Sequence, residues 1–586
     1  MPPLRPLPSL KMNRRRFMIT LALVMVVFPV SAQLGDRTLA GDREAALRYV
    51  EWADQAIAEG RWDEAAAALE RGADFSDVSS DISYLLGVVR CHQGRPKGAV
   101  LEALRRALAA DRWYRYTPAE GRLLEAETLI ALGLFPEALS VLALLPPGAQ
   151  AGRLRLLALK NLGRREDFRR DMAEALDRYP WDPAFPRLLL EYAADRLPEG
   201  NEQNLVDLVL ARLPLLLEAD PELVYLAVPF IRDTAEGVRL LSAYRAAHAP
   251  SPGSIPAALN LGLIDEDQAV DELFRNFSLS KDLIQSVWDL LRHDPGRDRF
   301  RRNLLAFSGV ITEDADKDGF PEIQVRYGEG AITEYTYDGD QDGLADLGIF
   351  FSAGDPREAE VVILPEASGE GGKGGTVFAY PVRDEDRSKA LLRWEQYPFV
   401  LRVEWEGVSY MLRPRDFSFN PLVFSEFIAG GGTPFLFPQG PPRYGRLSKR
   451  ALVSFSRVIE RPSPEFAGAL ERIDMDRGIP RGSTEFLAGR ILSTTEFLLG
   501  RPRIQRVDLD LDGRRETVRR FRTDPAGGVY TDSYQRDIEF SESDWDGDGI
   551  FETGEQYFPD GRLMRSWDID EDGEREYTEW SQGARN

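Results

Sequence analysis

The nine residues Asp544-Trp545-Asp546-Gly547-Asp548-Gly549-Ile550-Phe551-Glu552 set three aspartates two positions apart, then a glycine, then a fourth carboxylate three positions on. The same spacing occurs five times. The acids are Asp314, Asp316, Asp318 and Glu322, then Asp338, Asp340, Asp342 and Asp346, then Asp508, Asp510, Asp512 and Glu516. Asp544, Asp546, Asp548 and Glu552 follow, and Asp568, Asp570, Asp572 and Glu576 close the series. Two carboxylates ~4 Å apart repel by about 1 kcal/mol in water and about 4 kcal/mol at an effective dielectric of 20. Solubility does not require that crowding in one spacing five times over; a bound cation does. Alternate aspartates in a tight loop aim their oxygens at one point, glycine permits the turn, and the following residue offers a carbonyl. No sulfur or imidazole accompanies them, which excludes the usual zinc and copper chemistry. The expected ion is structural Ca2+ at up to five sites. With Kd of about 0.1–1 mM, millimolar calcium contributes roughly 0.4–1.4 kcal/mol per loop.

The flanks of these loops decide the fold around them. "EIQVRYGEGAITEYTYD" alternates apolar and polar residues on either side of Gly328-Glu329-Gly330, and "EQYFPDGRLMRSWD" turns at Asp560-Gly561. Both read as β-hairpins. Loops one and two start 24 residues apart, as do loops four and five, so one unit is an acidic loop plus a hairpin. An EF-hand needs helices on both sides and a bidentate glutamate at the twelfth residue. Val325, Ile349 and Arg519 stand there in the first three loops, and Glu555 and Glu579 in the last two. The loops are EF-hand-like in their acids only. They resemble the Asp-rich calcium loops of FG-GAP repeats, thrombospondin-type modules and dockerins. That resemblance implies a ligand role for the four acids of each loop. "DMDRG" from Asp474 has the look of a decayed sixth copy.

The front of the chain is different. From Asp42 to Pro180 the pattern is helix, short turn, helix, with turn glycines at Gly60, Gly94, Gly133 and Gly163, spaced 34, 39 and 30 residues apart. Helix pairs at such a period stack into a solenoid. Five residues after the first three glycines stand Ala65, Ala99 and Ala138, small enough for close helix approach, while Phe168 departs from the pattern. With Leu86-Gly87 in a first helix and Ala175 and Pro180 closing a repeat, the segment resembles tetratricopeptide repeats (TPR). The resemblance implies a groove that binds a protein partner. Trp52, Trp62, Trp113 and Trp181 are expected in the core between helices, and Cys91 and His92 are read as structural. Residues 185–306 continue the helical periodicity, with Pro214 expected to kink or split one helix and a loop expected near 249–256.

Between the two loop clusters, 356–505 reads as mostly strands. The expected strands include "TVFAYPV", "YPFVLRVEWEGVSYML" and "ALVSFSRVIERP", and the echo "STEFLAGRILSTTEFLLG" is expected as one or two helices. Gly372-Lys373 is followed by Gly374 where a phosphate loop needs Ser or Thr, so it is a turn. A long loop carries Phe435, Phe437 and Tyr444, which either line a site or pack.

Composition bounds the function. The 586 residues carry a net charge of −23 with pI near 4.8, which argues against nucleic-acid partners. One cysteine, Cys91, permits no internal disulfide, and His92, His248 and His293 have no ligand spacing. Arg14–Arg16, the apolar run to Val30 and Ala32 have the layout of a secretory signal, with Met12 as an alternative start. Its arginines resemble a twin-arginine signal, but the strong apolar core favours general export. After cleavage no membrane span is expected.

The sequence therefore predicts a multidomain α + β protein. It comprises a signal at 1–32, TPR-like repeats at 42–184, further helical repeats or a cap at 185–306 and a calcium-loop hairpin pair at 307–355. A mostly-β middle domain at 356–505 and calcium-loop hairpins at 506–586 complete it. The expected function is non-enzymatic: an exported bacterial envelope protein, periplasmic or surface-located, that docks a protein partner on its solenoid. Glycan adhesion through the β region is the alternative. A wall-degrading hydrolase is third, since no nucleophile elbow, His-Glu-x-x-His or Cys–His pair is present.

Overall fold

The computed structural model describes residues 41–194, 200–249, 251–315, 317–362, 388–428, 435–443, 449–522 and 538–582. The expected signal segment, Asp316, Gly372-Lys373, "TVFAYPV" and Tyr444 lie outside them. The chain forms two compact units: the first comprises the described residues to Ala249 together with Asp340–Leu344, and the second the remaining described residues. The fold is α + β: helices first, then a large antiparallel sheet.

The first unit stacks helix pairs: α1 (41–58) with α2 (Trp62–Gly72), α3 (Ser80–His92) with α4 (Lys97–Ala110), α5 (Pro118–Ala131) with α6 (Phe135–Leu142), and α7 (Ala149–Asn161) with α8 (Arg165–Arg178). Each pair turns at its expected glycine, with φ of +73° at Gly60, +64° at Gly94, +69° at Gly133 and +67° at Gly163. One residue past each glycine, a backbone N–H reaches back five positions: Arg61 to Ala56, Arg95 to Arg90, Leu134 to Leu129 and Arg164 to Leu159, at 2.8–3.0 Å. This closes the helix by a Schellman motif. Ala65, Ala99 and Ala138 are buried at the contact, and a Cβ on Gly87 would lie 3.0 Å from Leu104 Cδ2, so glycine sets that helix spacing. Phe168 is also buried, its ring tilted against that of Tyr192 with centroids 4.4 Å apart.

Beyond these pairs come α9 (Ala184–Ala194), α10 (Asn201–Ala219), α11 (Leu223–Ala227) and α12 (Thr234–Ala247). Pro214 does not split α10, which runs unbroken through it. Leu213 and Leu216, buried beside the proline, hold both halves in one core. Two tryptophans also differ from expectation: Trp52 is 46% exposed and Trp181 56%, so neither belongs to the inter-helix core. Trp62 instead stacks flat on His92, with centroids 3.5 Å apart.

The fully buried Asp81 accepts from the backbone N–H groups of Tyr114, Arg115 and Tyr116 at 3.1–3.3 Å, pinning the connection into α5. Asp81→Ala removes the buried acceptor of three backbone donors. It should cost about 3 kcal/mol, read as a lowered urea midpoint of the helical transition, and a change under 0.5 kcal/mol would exclude this role.

The second unit opens with α13 (Ser254–Asn260), α14 (Glu266–Leu273), β1 (Ser278–Ser280), α15 (Lys281–Leu290) and α16 (Asp294–Leu305). The loop expected near 249–256 is thus shortened by α13. Strands β2 (Gly309–Glu313), β3 (Ile323–Gly328), β4 (Ala331–Tyr337), β5 (Leu347–Ser352), β6 (Asp355–Val362), β7 (Lys389–Gln396), β8 (Phe399–Trp405) and β9 (Val408–Leu412) follow. A small ribbon of β10 (Phe424–Glu426) and β11 (Leu436–Pro438) and the helix α17 (Lys449–Phe455) interrupt them. The sheet resumes with β12 (Ser456–Pro462), β13 (Leu470–Asp476), β14 (Ile479–Leu487), β15 (Arg490–Leu498), β16 (Arg501–Val507), β17 (Thr517–Phe521), β18 (Ile538–Ser543), β19 (Thr553–Tyr557), β20 (Arg562–Trp567) and β21 (Tyr577–Gln582).

Among the described residues nineteen strands make one sheet. Apart from the parallel pair β1–β2, every strand pairs antiparallel with its neighbour in sequence, β9 joining β12. The register is continuous. Leu279, Ile311, Val325, Tyr335, Ile349, Ala359, Leu392, Val403, Tyr410, Ile459 and Ile473 stand directly opposite one another in succession. The same row continues as Ser483, Thr495, Gln505, Arg519, Ser541, Glu555, Arg565 and Glu579. Its apolar part is buried throughout. An aromatic chain runs from the helices onto it, Phe274 against Phe307, Phe307 against Tyr327 and Tyr327 stacked on Phe435, with centroids 4.8–6.4 Å apart.

Two expectations fail in this unit. "STEFLAGRILSTTEFLLG" is a hairpin, β14 and β15, and the first half of "ALVSFSRVIERP" is the helix α17. The echo marks turns, not helices: Arg477-Gly478, Ala488-Gly489 and Leu499-Gly500 each hold φ near +50° and then near +80°. Paired positive φ is the type I′ turn that matches strand twist. The apparent sixth loop at Asp474 is the first of these hairpins, with Asp476 accepting from Arg413 and Arg481 at 2.9 Å.

Candidate metal centres

The five acidic loops join β2 to β3, β4 to β5, β16 to β17, β18 to β19 and β20 to β21, so strand alternation puts them all at one end of the sheet. Their hydrogen bonding repeats. The first aspartate accepts from the N–H of the loop glycine: Gly319 on Asp314, Gly513 on Asp508, Gly549 on Asp544 and Gly573 on Asp568, at 2.8–3.0 Å. The last acid reaches back to the second residue's N–H: Ala315 to Glu322, Gly339 to Asp346, Leu509 to Glu516, Trp545 to Glu552 and Ile569 to Glu576, at 2.8–3.2 Å. The third aspartate takes the N–H two residues on, Phe320, Leu344, Arg514, Ile550 or Glu574, at 2.7–2.8 Å. The third aspartate and the last acid are thereby tethered to backbone, and in four loops the first aspartate is held through both oxygens, the other accepting from the N–H of Asp318, Asp512, Gly547 or Glu571 at 2.7–3.1 Å.

The glycine at the sixth position has φ of +86° to +103° in all five loops, as its spacing implied. The fourth position is left-handed as well: Lys317, Gln341, Leu511, Gly547 and Glu571 have φ of +55° to +77°. Sequence reading missed this second turn, because only the fourth loop carries a glycine there.

Asp508, Asp510, Asp512 and Glu516 converge so that one oxygen from each lies within 4.8 Å of the others, and Asp568, Asp570, Asp572 and Glu576 do the same. In the second loop the convergent set is Asp338, Asp340 and Asp346, and in the fourth Asp544, Asp546 and Asp548. Asp342 and Glu552 are not part of those sets. The first loop places Asp314, Asp318 and Glu322 by the same bonds, with Asp316 outside the described residues.

Crowding leaves an electrostatic mark. Asp572 foremost, with some burial and with Glu576 and Asp568, pushes the Asp570 carboxyl above its ordinary value. Glu571 is raised chiefly by Asp546 of the preceding loop, so neighbouring loops feel each other. Basic residues interleave between them: a Cβ on Gly547 would lie 2.7 Å from Arg514 Nη1, and Arg575 donates to Glu542 at 2.9 Å. The donors are carboxylate oxygens throughout, a hard set that fits Ca2+ and offers nothing to a thiophilic ion. Phe435 and Phe437 are 4% and 1% exposed and therefore pack instead of lining a site.

No family model matches the chain. An uncharacterized protein of Treponema pallidum (strain Nichols) is 24% identical across 87% of this chain and 79% of its own length. Among solved structures the chain is similar to a tetratricopeptide repeat protein of Parabacteroides merdae, with 11% identity over 44% of this chain and 99% of that one, TM-score 0.32. It is similar to Pseudomonas aeruginosa pilF, with 16% identity over 44% and 98%, TM-score 0.25. YrrB, a TPR protein with an unusual peptide-binding site, is 15% identical over 32% and 96%, TM-score 0.26.

Titration calorimetry of the whole chain with CaCl2 should show binding at a Kd of about 0.1–1 mM. Asp568→Asn should remove part of the stoichiometry while Asp474→Asn leaves it unchanged; equal behaviour of the two variants would exclude the loops as the ligands.

Proposed function

We propose that this chain is an exported, non-enzymatic protein of a bacterial envelope whose helical solenoid docks a protein partner and whose β meander, braced by calcium at the acidic loops, serves as scaffold. The observation that carries this reading is the recurrent backbone tethering of the acids in loops that share one sheet end. Function in such an arrangement is support: neutralising the acids removes repulsion between connections that the sheet forces side by side. The docking role is supported by the TPR-like pairs and by a cleft along α6, α7 and α8, lined by Leu142, Leu145, Pro146, Gly148, Arg155 and Tyr179. No described helix is long and apolar enough to cross a membrane.

Glycan adhesion through the β region is the second reading. It is favoured by aromatic residues exposed at the last strand: Trp580 stacks on Phe558 with centroids 5.3 Å apart, and Tyr577 stands beside Trp567 at the same distance. Both Tyr577 and Trp580 are 54% exposed.

The test pairs stability with capture. In a thermal melt of the full chain, millimolar CaCl2 should raise the transition of the β unit by several degrees over chelator, about 0.4–1.4 kcal/mol for each loop filled, and leave the helical transition in place. Capture from an envelope extract should recover a protein partner, reduced by substitutions in the α6–α8 cleft and not by Trp580→Ala. Recovery of glycan lost on Trp580→Ala selects the second reading, and turnover of a wall substrate overturns both.

A further inference from the structure

The connection 463–469 between β12 and β13 folds onto the sheet instead of standing off its end. Ser463 N–H donates to Ala469 O at 2.8 Å and Ala469 N–H to Phe466 O at 3.0 Å, while Ser463 Oγ accepts from the N–H groups of Glu465 and Phe466 at 3.1 and 3.0 Å. Phe466 packs with Ala469, Leu492 and Val507, which seats the segment against β15 and β16.

Beneath it lies a cluster of charged side chains. Glu471 is fully buried and Glu485 is 1% exposed, and the two stand directly opposite on β13 and β14. Arg461 from β12 donates to Glu471 at 2.8 Å, and Arg519 from β17 pairs with Glu465 of the connection. Both guanidiniums are thus committed elsewhere. Among the described residues Glu485 is met by uncharged donors: Ser463 Oγ at 2.6 Å, Ser493 Oγ from β15, and Gln505 Nε2 from β16 at 3.4 Å. Of its two oxygens, one holds the connection and the other holds the sheet.

We propose that residues 463–469 form a proton-controlled strap, clasped to the sheet when Glu485 is neutral and loosened when Glu485 ionises. As a neutral acid, Glu485 turns its O–H to Ser493 Oγ while its other oxygen still accepts from Ser463. As a carboxylate it becomes a third negative charge beside the buried Glu471 and the partly exposed Glu465, with Arg461 and Arg519 already engaged by those two acids. Repulsion then favours lifting the segment that carries Glu465 and Ser463, which admits water to Glu485. Burial, aided by Glu471 and Glu465 and opposed by the two serine hydroxyls, holds this carboxyl above its ordinary value, consistent with that geometry. An acid raised in the folded state contributes its full stabilisation below the unfolded value of about 4.3 and loses it as pH rises through the raised folded value. The strap is therefore tightest under acid conditions.

Hydrogen exchange by mass spectrometry on the full chain, corrected for intrinsic rates between pH 5 and pH 8, reads the amides of Glu465, Phe466 and Ala469. In the wild type their protection should fall as pH rises, while amides of β15 hold steady. Glu485→Gln should give protection independent of pH and several-fold above wild type at pH 8. Ser493→Ala, which removes a donor to the carboxylate, should move the fall to higher pH and serves if the glutamine variant does not fold. A flat wild-type profile, a pH slope retained in Glu485→Gln, or a fall that stays put or moves to lower pH in Ser493→Ala would each overturn the strap.

Discussion

One register governs the β unit. From Leu279 to Glu579 a single row of side chains crosses nineteen strands with each residue directly opposite the next. Because side chains alternate faces with period two, a slip of one residue anywhere would turn every later strand inside out. The buried apolar stretch of the row, Ile311 through Ile473, resists such a slip most strongly. Type I′ turns at Arg477-Gly478, Ala488-Gly489 and Leu499-Gly500 hold the phase where the row turns polar at Ser483.

The crowding of acids is a result of that register. Alternate connections of a meander emerge at the same end, about 10 Å apart at the usual strand spacing. The ladder even extends into the loops: the first aspartate of one donates its N–H to the carbonyl of the last acid of the loop before, Asp338 to Glu322, Asp544 to Glu516 and Asp568 to Glu552, at 2.8–2.9 Å. Acids that would otherwise spread apart are thus stitched together by backbone. Arg514 and Arg575 relieve part of the repulsion, and a divalent ion held by convergent carboxylates would relieve more.

Much of this was legible in the amino acids. The turn glycines and their alanines gave the helix pairs, and the repeated aspartate spacing located all five loops. What failed had local physical causes. The segment from Ser483 to Gly500 places apolar residues at intervals that suit a helix face as well as bulged strands, and only the paired positive φ at X-Gly distinguishes them. Pro214 reads as a break, but the packed neighbours Leu213 and Leu216 outweigh one lost backbone bond. Trp52 and Trp181 are expected in the core between helices, yet Trp52 lies at an exposed position of α1 and Trp181 in the turn before α9. The polar row and the Glu485 cluster were invisible, since their members are far apart in sequence and meet only through the register.

Among the described residues β21 pairs with β20 alone, so no pairing closes the sheet on itself. Such a ribbon grows by whole hairpins. Duplicating or deleting a 24-residue block of loop and two strands would leave every remaining strand in phase, so gene lineages carrying this architecture can vary in length by that quantum while keeping each surviving cross-strand neighbour.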